Sequence, residues 1–516
     1  MDGLAFGGAA GIVVLLGYAV IMLGIGFAVG RKRPGAKESM KSYYLAGGNL
    51  GMLVLFFTLY ATQYSGNTVV GYAPQAYREG FVWWQSVTFF TAIIAGYMLF
   101  APRLYVLAKK HSFITPTDWV RFRFRSTPVT LMATFLMLWA LANYVLEQLI
   151  AMGHAIAGLT GDTVPYQLGV TVFVVVMLAY SWMGGMRAVA LTDVMQGIAL
   201  LVGILVLLVG ALYLAGGSVG DLTRYLAQNE PEAIAVPPLE TSVNWFSMIL
   251  LVGIGIALYP HAIQRIYSAR SERTLKRSLK RMVWMPFITA GVVFCIGMLG
   301  IRLFPNLSES DSERLVGMIA NEVGSLNAVF YVAMILLFGG VVAAIVSTAD
   351  SALLSFSSII SRDLYGRYLR PKTSEQRQVV VGKVAGVVAV VGLLLLAWNP
   401  PATLVEVFVL KMELLIQLAP VFVLGMYWRR MAAGPAFWGM LAGAGLAGGM
   451  TVLGEESVFG VHGGIVGLLL NLAICVVGSL LVPQRPEPSE PSGTTTATTG
   501  TTATTMRPPL DAAGAD

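Results

Sequence analysis

The chain contains little cysteine, histidine or charge, and each shortage removes support for a class of function. Its two cysteines, Cys295 and Cys475, both lie in apolar runs, so the sequence offers neither a disulfide framework nor a cysteine metal site. The four histidines are scattered without ligand spacing, and the motifs of zinc proteases, P-loop proteins and serine hydrolases do not occur. An enzymatic function therefore has no support in the motifs.

Hydrophobic sequence, in contrast, is abundant. Of 516 residues, 56% are hydrophobic and only 12% are charged, and the mean hydropathy is +0.72. These values indicate an all-α membrane protein with many spans. The net charge of +7 does not indicate a nucleic-acid partner, because the basic residues lie in short loops between apolar runs.

Thirteen apolar runs are long enough to span a bilayer. They cover residues 6–29, 50–77, 82–107, 128–158, 166–186, 190–215, 243–267, 283–303, 327–360, 379–398, 403–428, 434–453 and 463–482. If the amino terminus lies outside and the spans alternate, the cytoplasmic segments hold 29 of the 34 lysines and arginines. Basic residues are retained on the cytoplasmic side. The sequence therefore predicts an outer amino terminus and a cytoplasmic carboxyl terminus.

The composition changes near residue 483. Residues 1–482 form the predicted membrane domain, whereas 483–516 are rich in threonine and proline and almost lack large apolar residues. Such a segment cannot bury enough surface to offset the entropy of ordering. We expect a disordered cytoplasmic tail that is too short to be an output domain.

Polar residues interrupt the predicted span at 50–77. Thr62, Gln63, Ser65, Gly66, Asn67 and Thr68 fall within seven positions. Backbone groups freed at membrane depth need a partner, and transporters use discontinuous helices of this kind to bind ions and solutes. This pattern predicts a transport site around Ala61 to Thr68. The alternative is a glycine-kinked helix that packs on its neighbours through small residues.

A second polar cluster lies in the span at 327–360. Ala344, Ser347, Thr348 and Ser351 share one helix face by their spacing. Hydroxyl and carbonyl oxygens with little charge suit a monovalent cation better than calcium. The alternative is that each hydroxyl bonds back to its own helix.

Two further features complete the pattern. Asp193 lies just inside a span, where an ionisable residue is a functional candidate; the alternative is that it complements the helix dipole. Gly253, Gly255 and Pro260 interrupt the span at 243–267. Interrupted spans at corresponding places of two five-span halves, about 50–215 and 243–428, predict an inverted-repeat transporter.

Over about residues 6–480, the chain resembles the sodium/solute symporter family. The resemblance is carried by YYLAGGNLG, the Ser65-Gly66 break, GGMRAVALTDVMQG, the Pro260-His261 pair, and AAIVSTADSALL followed by RDLY. It implies the leucine-transporter fold, with five-plus-five inverted repeats and flanking helices, and sodium as the co-transported ion. The implied sodium ligands are the carbonyls of Ala61, Tyr64 and Ala344 and the side chains of Ser347 and Thr348. Asp193 matches a family aspartate that is tied to sodium binding in some members.

Departures from the family pattern inform the solute. Proline carriers have a tryptophan after the break and aromatic residues on core helix 6, where this chain has Asn67, Val252 and Ile256. The ending LYPHAIQRIYSA is more similar to pantothenate and monocarboxylate carriers. We therefore expect a carboxylate-bearing solute, bound by Gln63, Ser65, Gly66, Asn67, Thr68, Gln148 and Tyr259. Glu147, Lys411 and Glu413 are also intramembrane ionisable residues, and the sequence assigns them no role.

The sequence thus predicts sodium-coupled symport by alternating access, in a bacterial inner membrane. The expected partners are the solute, sodium and the lipid bilayer, without nucleic acid or an obligate protein partner. One alternative is a proton-coupled carrier of an amino acid or sugar, in which Asp193 or Glu147 titrates. Another is a membrane sensor that binds a solute without transporting it.

Overall fold

Helices form most of the chain that the computed structural model describes, which is residues 9–30, 39–159, 163–398, 404–455 and 457–482. The predicted tail at 483–516 lies outside these described residues, as does most of the basic loop after residue 30. A short hairpin pairs β1 (Ser457–Val458) with β2 (Val461–His462) in antiparallel register.

Ten helices lie in the described part of the first half of the chain. They are α1 (Ala9–Gly30), α2 (Met40–Tyr44), α3 (Met52–Gln63), α4 (Gly66–Val70), α5 (Tyr72–Glu79), α6 (Gln85–His111), α7 (Pro116–Phe124), α8 (Thr127–Leu159), α9 (Tyr166–Leu214) and α10 (Val219–Asn229). Short 3-10 turns lie at Ala46–Gly48, Gly80–Trp84 and Pro231–Ile234.

Twelve helices follow in the second half. They are α11 (Leu239–Ala257), α12 (Pro260–Ser268), α13 (Glu272–Met282), α14 (Met285–Leu303), α15 (Glu309–Ser312), α16 (Leu315–Ser325), α17 (Ala328–Ile359), α18 (Glu375–Trp398), α19 (Leu404–Leu415), α20 (Gly425–Tyr427), α21 (Ala433–Val452) and α22 (Gly463–Leu481). A π-helix, Ile360–Leu369, continues α17. A 3-10 turn, Ile416–Leu418, and a π-helical turn, Pro420–Leu424, connect α19 to α20.

The predicted all-helical membrane architecture is confirmed. Ten helical segments among the described residues are long and apolar enough to cross a membrane. The difference from thirteen has three sources: the break shortens α3, the two predicted spans within α9 form one helix, and the glycine-rich α21 is not among the ten. The number thirteen and the orientation of the termini stay predictions.

A glycine bends α9 where the sequence places a boundary between two spans. Gly185 has φ 54° and ψ −152°, which is not helical. A Cβ atom there would lie 2.7 Å from a ring carbon of Tyr43. Glycine is therefore required by both the backbone conformation and the space.

Both interrupted spans are broken helices in the structure. Tyr64 and Ser65 separate α3 from α4, while Leu258 and Tyr259 separate α11 from α12. Leu50, just before α3, exchanges backbone hydrogen bonds of 2.9 and 3.0 Å with the chain at the end of α12. Because the start of α3 lies beside the end of α12, the two helices run in opposite directions. Inverted repeats have this arrangement.

The first break packs directly against α17. A Cβ atom on Gly66 would lie 2.5 Å from the carbonyl oxygen of Val341 and 2.6 Å from a side-chain carbon of Ile345. Only a residue without a side chain permits this close approach. The position of the break relative to α17 therefore depends on Gly66.

A polar network joins α7 to the π-helix that follows α17. The Asp118 carboxylate accepts hydrogen bonds from the backbone N–H groups of Ile114 and Thr115 at 2.8 and 3.1 Å. It also accepts bonds from Arg362 at 3.0 Å and Arg367 at 2.6 Å. Burial by itself would raise the pKa of Asp118, but the two guanidinium groups and the backbone donors together hold it below its ordinary value.

Asp363 completes this network. Its carboxylate accepts hydrogen bonds from the hydroxyls of Thr115 and Thr117 and forms an ion pair of 2.9 Å with Arg367. Two carboxylates and two arginines are therefore shared between segments more than 200 positions apart. The network fixes the predicted cytoplasmic end of α17 to α7.

Replacing Gly66 with alanine should displace the break from α17. Overpacking of this kind costs about 1–3 kcal/mol, so we expect a lower unfolding temperature of the purified protein and weaker transport. Gly392 of α18, around which nothing lies within 4 Å, provides the control. An unfolding temperature of Gly66→Ala equal to that of Gly392→Ala would contradict the close packing.

Replacing Asp118 with asparagine should destabilise the protein in a pH-dependent way. Removing one partner of a buried charged network costs about 3–5 kcal/mol. Because the pKa of Asp118 is lower in the folded chain, this stabilisation is present above the ordinary carboxyl pKa of about 3.9 and declines as the pH falls below it. The difference in unfolding temperature between wild type and Asp118→Asn should thus be largest near neutral pH and shrink towards pH 3.

Asp221→Asn is the matched control for this prediction. Asp221 also follows an N-cap residue by three positions, but its ion pair with Arg224 is exposed, and such pairs contribute little. A pH-independent effect of Asp118→Asn, or an equal effect of Asp221→Asn, would contradict the role of the network.

Candidate functional site

Carbonyl and hydroxyl oxygens of α3 and α17 meet at the first break. The Ala61 carbonyl lies in the last turn of α3, where the break removes its helical partner. The Thr348 hydroxyl lies 3.4 Å from this carbonyl oxygen and 2.8 Å from that of Ala344. All three residues are buried. Three of the predicted sodium-binding residues are therefore adjacent, and their oxygens suit a hard monovalent cation.

Ser347 points its hydroxyl towards the neighbouring helix α9. This hydroxyl donates to the Asp193 carboxylate, which also accepts from the Thr58 hydroxyl. A hydroxyl that donates its proton keeps both lone pairs of its oxygen for a cation. Asp193 is thus connected to the candidate cation site through Ser347, and its own oxygens are held by other groups.

A buried arginine neutralises this aspartate. Arg265 is 0% exposed, and its guanidinium lies 3.3 Å from the Asp193 carboxylate. It also donates to the Thr58 carbonyl at 3.0 Å, to the His261 carbonyl at 3.3 Å and to the Ser351 hydroxyl. The sequence placed Arg265 near the end of the predicted span at 243–267 and gave it no role, whereas the structure pairs it with Asp193. The missed signal was its position four residues after His261, on the same face of α12.

The other residues of the first break have different neighbours. The backbone of Tyr64 is extended, and its ring packs at a tilt against those of Tyr60 and Phe90. Its carbonyl accepts no hydrogen bond from α17 among the described residues. The Thr68 N–H donates to the Ser65 carbonyl at 3.0 Å. The side chain of Asn67 lies outside the described part of the structure.

Three rings stack where the second break faces α8. The centroid of Tyr144 lies 4.8 Å from that of Tyr259 and 5.2 Å from that of His261, with interplanar angles of 17° and 22°. We call Tyr144, Tyr259 and His261 the aromatic cluster. Tyr259 was predicted from the sequence, whereas Tyr144 and the role of His261 were missed. The only available signal for Tyr144 was its position one turn before Gln148.

Several polar groups beside the aromatic cluster lack hydrogen-bond partners within the described chain. These are the Tyr259 hydroxyl, both ring nitrogens of His261 and the whole amide of Gln148, and the three residues are at most 1% exposed. Buried polar groups are normally paired, and exceptions need an explanation. A bound solute that supplies the missing partners is such an explanation.

Gln63 extends this site towards the first break. Its buried amide lies near the hydroxyl of Tyr97, and neither group completes a hydrogen bond within the described chain. Tyr97 in turn lies close enough to Tyr144 and Tyr259 to interact electrostatically with both. Gln63, Gln148 and Tyr259 therefore belong to one region, whereas Gly66 belongs to the contact between the break and α17.

A buried ion pair borders the aromatic cluster. The Lys411 ammonium of α19 contacts the Glu147 carboxylate of α8 and lies 4.2 Å from the centroid of the Tyr144 ring. Glu413 has a separate setting, since it accepts hydrogen bonds from the Thr451 hydroxyl at 2.6 Å and the Gly464 N–H at 3.3 Å. Of the three unassigned ionisable residues, only Glu147 and Lys411 adjoin the candidate site.

Comparisons with known proteins agree on one family. The model of the sodium:solute symporter family matches residues 43–443. The sodium/pantothenate symporter of Escherichia coli (strain K12) is 27% identical over 484 residues, which cover 92% of this chain and 97% of that protein. The osmoregulated proline transporter OpuE of Bacillus subtilis (strain 168) is 25% identical over 489 residues, with coverage of 92% and 95%.

A solved structure has a similar fold. It is a substrate-bound, outward-open Na⁺-coupled sialic acid symporter, with a TM-score of 0.77 and 18% identity, and the match covers 92% of this chain and 98% of that chain. At this identity the likeness concerns the fold alone.

Replacing Thr348 with valine should weaken sodium binding without unfolding the protein. The change keeps the shape of the side chain but removes an oxygen that interacts with a charge, which costs about 1.5–3 kcal/mol or roughly tenfold or more in affinity. The measurement is the sodium concentration that gives half-maximal stabilisation of the purified protein against heat.

Thr91→Val of α6 is the matched control. The Thr91 hydroxyl also bonds a carbonyl of its own helix one turn back, at 2.8 Å, but it makes no hydrogen bond to the break among the described residues. Equal sodium concentrations for half-maximal stabilisation of both variants would contradict the assignment of Thr348.

Proposed function

From the premise that the chain belongs to the sodium:solute symporter family, we propose that it takes up a small carboxylate-bearing solute together with sodium. The protein is a sodium-coupled membrane transporter and not an enzyme. The proposed solute is of the monocarboxylate or pantothenate type. The similarity to a sodium/pantothenate symporter supports this class, although the similarity to a proline transporter means that identity alone does not select the solute.

One observation supports the proposal most directly. Fully buried polar groups of Gln148, Tyr259 and His261 lack partners among the described residues, and they lie beside a broken helix. Leaving such groups unpaired costs about 1–3 kcal/mol each, so the arrangement favours a polar ligand. Gln63 lies at the side of this region that faces the first break. We propose that these four residues bind the solute, with Ser65, Gly66, Asn67 and Thr68 forming the adjoining wall.

The proposed sodium site joins the two repeats. The carbonyls of Ala61, Tyr64 and Ala344 and the hydroxyls of Ser347 and Thr348 would bind the ion. An ion held by both α3 and α17 stabilises the conformation in which these helices are close together. Moving the helices apart weakens its binding, and this difference between conformations is the source of coupling. Solute and sodium then raise each other's affinity by the same factor.

Asp193 acts in this mechanism by holding the Ser347 hydroxyl. Its carboxylate is paired with Arg265 and accepts two hydroxyl hydrogen bonds. Glu147 is likewise paired, with Lys411. A proton-coupled carrier, in which Asp193 or Glu147 titrates, stays the alternative, and the gradient that drives uptake distinguishes it from sodium coupling.

The proposed setting is a bacterial inner membrane, with the amino terminus outside, thirteen spans and a cytoplasmic tail. The bias of basic residues towards alternate segments supports this orientation. Transport would proceed by alternating access, as the inverted arrangement of the two broken helices allows.

Uptake into proteoliposomes tests the proposed function. Labelled pyruvate, lactate, pantothenate, proline and glucose are supplied with an inward sodium gradient or an equal potassium gradient. We expect sodium to increase the uptake of a carboxylate-bearing solute about tenfold. Liposomes without protein and the Thr348→Val variant are the controls.

Three results would contradict the proposal. Uptake driven by a proton gradient alone would exclude sodium coupling. Sodium-dependent uptake of proline or glucose, without uptake of any of the three acids, would exclude the proposed solute class. Binding of a solute without accumulation would favour a sensor.

A further inference from the structure

Lys411 is a buried cation at the edge of the solute region. Its side chain is 0% exposed. The ammonium lies 4.2 Å from the ring centroid of Tyr144, 4.8 Å from that of Phe408 and 6.0 Å from that of Tyr259. Two of these rings belong to the aromatic cluster, so the ammonium adjoins the cluster that holds the unpaired Tyr259 hydroxyl and His261 nitrogens.

Glu147 supplies the negative charge for this cation. The two side chains form an ion pair between α8 and α19, and both are buried. Such a pair is a poor device for stability alone, because well-packed apolar residues often perform as well or better. Ionisable residues within membrane spans are by default functional candidates. The position of the pair, one residue from the unpaired Gln148 amide, favours function.

The ammonium retains donors for a further acceptor. A lysine ammonium has three N–H donors, and its hydrogen bond with the protein is to Glu147 Oε2. Tyr259, Gln148 and one nitrogen of a neutral His261 are also donors. A cation surrounded by neutral hydrogen-bond donors suits an oxyanion, and a carboxylate is the anion that the proposed solute carries.

We infer that Lys411 binds the carboxylate of the solute, and that Glu147 holds the same ammonium before the solute arrives. This inference rests on the proposed function, which it deepens by naming the group that selects an acid. Glu147 competes with the solute for the ammonium. A neutral sugar or alcohol cannot replace Glu147 as the partner of the cation, so it binds weakly.

The charges of the region explain why an acid and sodium would bind together. The two buried pairs, Asp193 with Arg265 and Glu147 with Lys411, are each neutral in sum. A carboxylate alone adds a negative charge to a low-dielectric region, and sodium alone adds a positive charge. Both together leave the region neutral, so each ligand favours the other.

The experiment measures ligand-dependent thermal stabilisation of the full-length purified protein in sodium and in potassium. The probes are matched pairs that differ in charge at one end, namely pantothenate with panthenol and lactate with lactamide. The variants are Lys411→Met, Glu147→Gln and the double variant. The double variant leaves no unpaired buried charge, so it keeps the test valid if Lys411→Met alone fails to fold.

We expect wild type to bind one acid at least about tenfold more tightly than its uncharged analogue. The double variant should bind both members of that pair equally. Glu147→Gln should bind the acid more tightly than wild type, because the competing carboxylate is absent. Lys109→Met, which removes an ammonium 5.2 Å from the ring centroid of Tyr105 and distant in sequence from the cluster, should keep the acid preference.

Each contrary result identifies whether this inference or the proposed symport fails. An undiminished acid preference in the double variant would overturn the role of Lys411. Weaker acid binding by Glu147→Gln than by wild type would overturn the proposed competition. Acid binding to wild type that needs Lys411 but not sodium would leave this inference standing while overturning the proposed symport. Sodium-dependent binding of only the uncharged probes would overturn the inference and leave sodium coupling standing.

Discussion

Backbone carbonyls that are freed where a helix breaks inside a membrane must find partners, because lipid offers none. In this protein the break at Tyr64 and Ser65 places the Ala61 carbonyl beside the Thr348 hydroxyl, which also reaches the Ala344 carbonyl. Gly66 permits the close approach. The cation proposed for this site would satisfy the freed carbonyls, and the contact between the break and α17 would then depend on an ion that comes and goes.

Two buried ion pairs lie near this contact. Asp193 with Arg265 connects α9 to α12, and Glu147 with Lys411 connects α8 to α19. Because each pair is neutral, the region between them accepts an anion and a cation together more readily than either one alone. Reciprocal coupling between sodium and an acidic solute would follow from charge balance, in addition to any movement of helices.

Local features of the sequence predicted much of this arrangement. Polar residues and glycine within an apolar run indicated the first break, Pro260 indicated the second, and helical spacing placed Ala344 and Thr348 on one face. The rest depends on contacts between distant segments. Helical spacing relates Arg265 to His261 and Tyr144 to Gln148, but it does not show that Arg265 pairs with Asp193 or that Tyr144 stacks on Tyr259 across 115 positions. Pairing partners of buried charges are decided by packing, which periodicity does not encode.

The most direct test is a high-resolution experimental structure of the protein with sodium, compared with one in potassium. We predict density for an ion between the carbonyl oxygens of Ala61 and Ala344 and the Thr348 hydroxyl in sodium, and its absence in potassium. Identical density at this position in both salts, or a sodium ion bound elsewhere with this position unchanged, would contradict the claim that sodium joins the first break to α17.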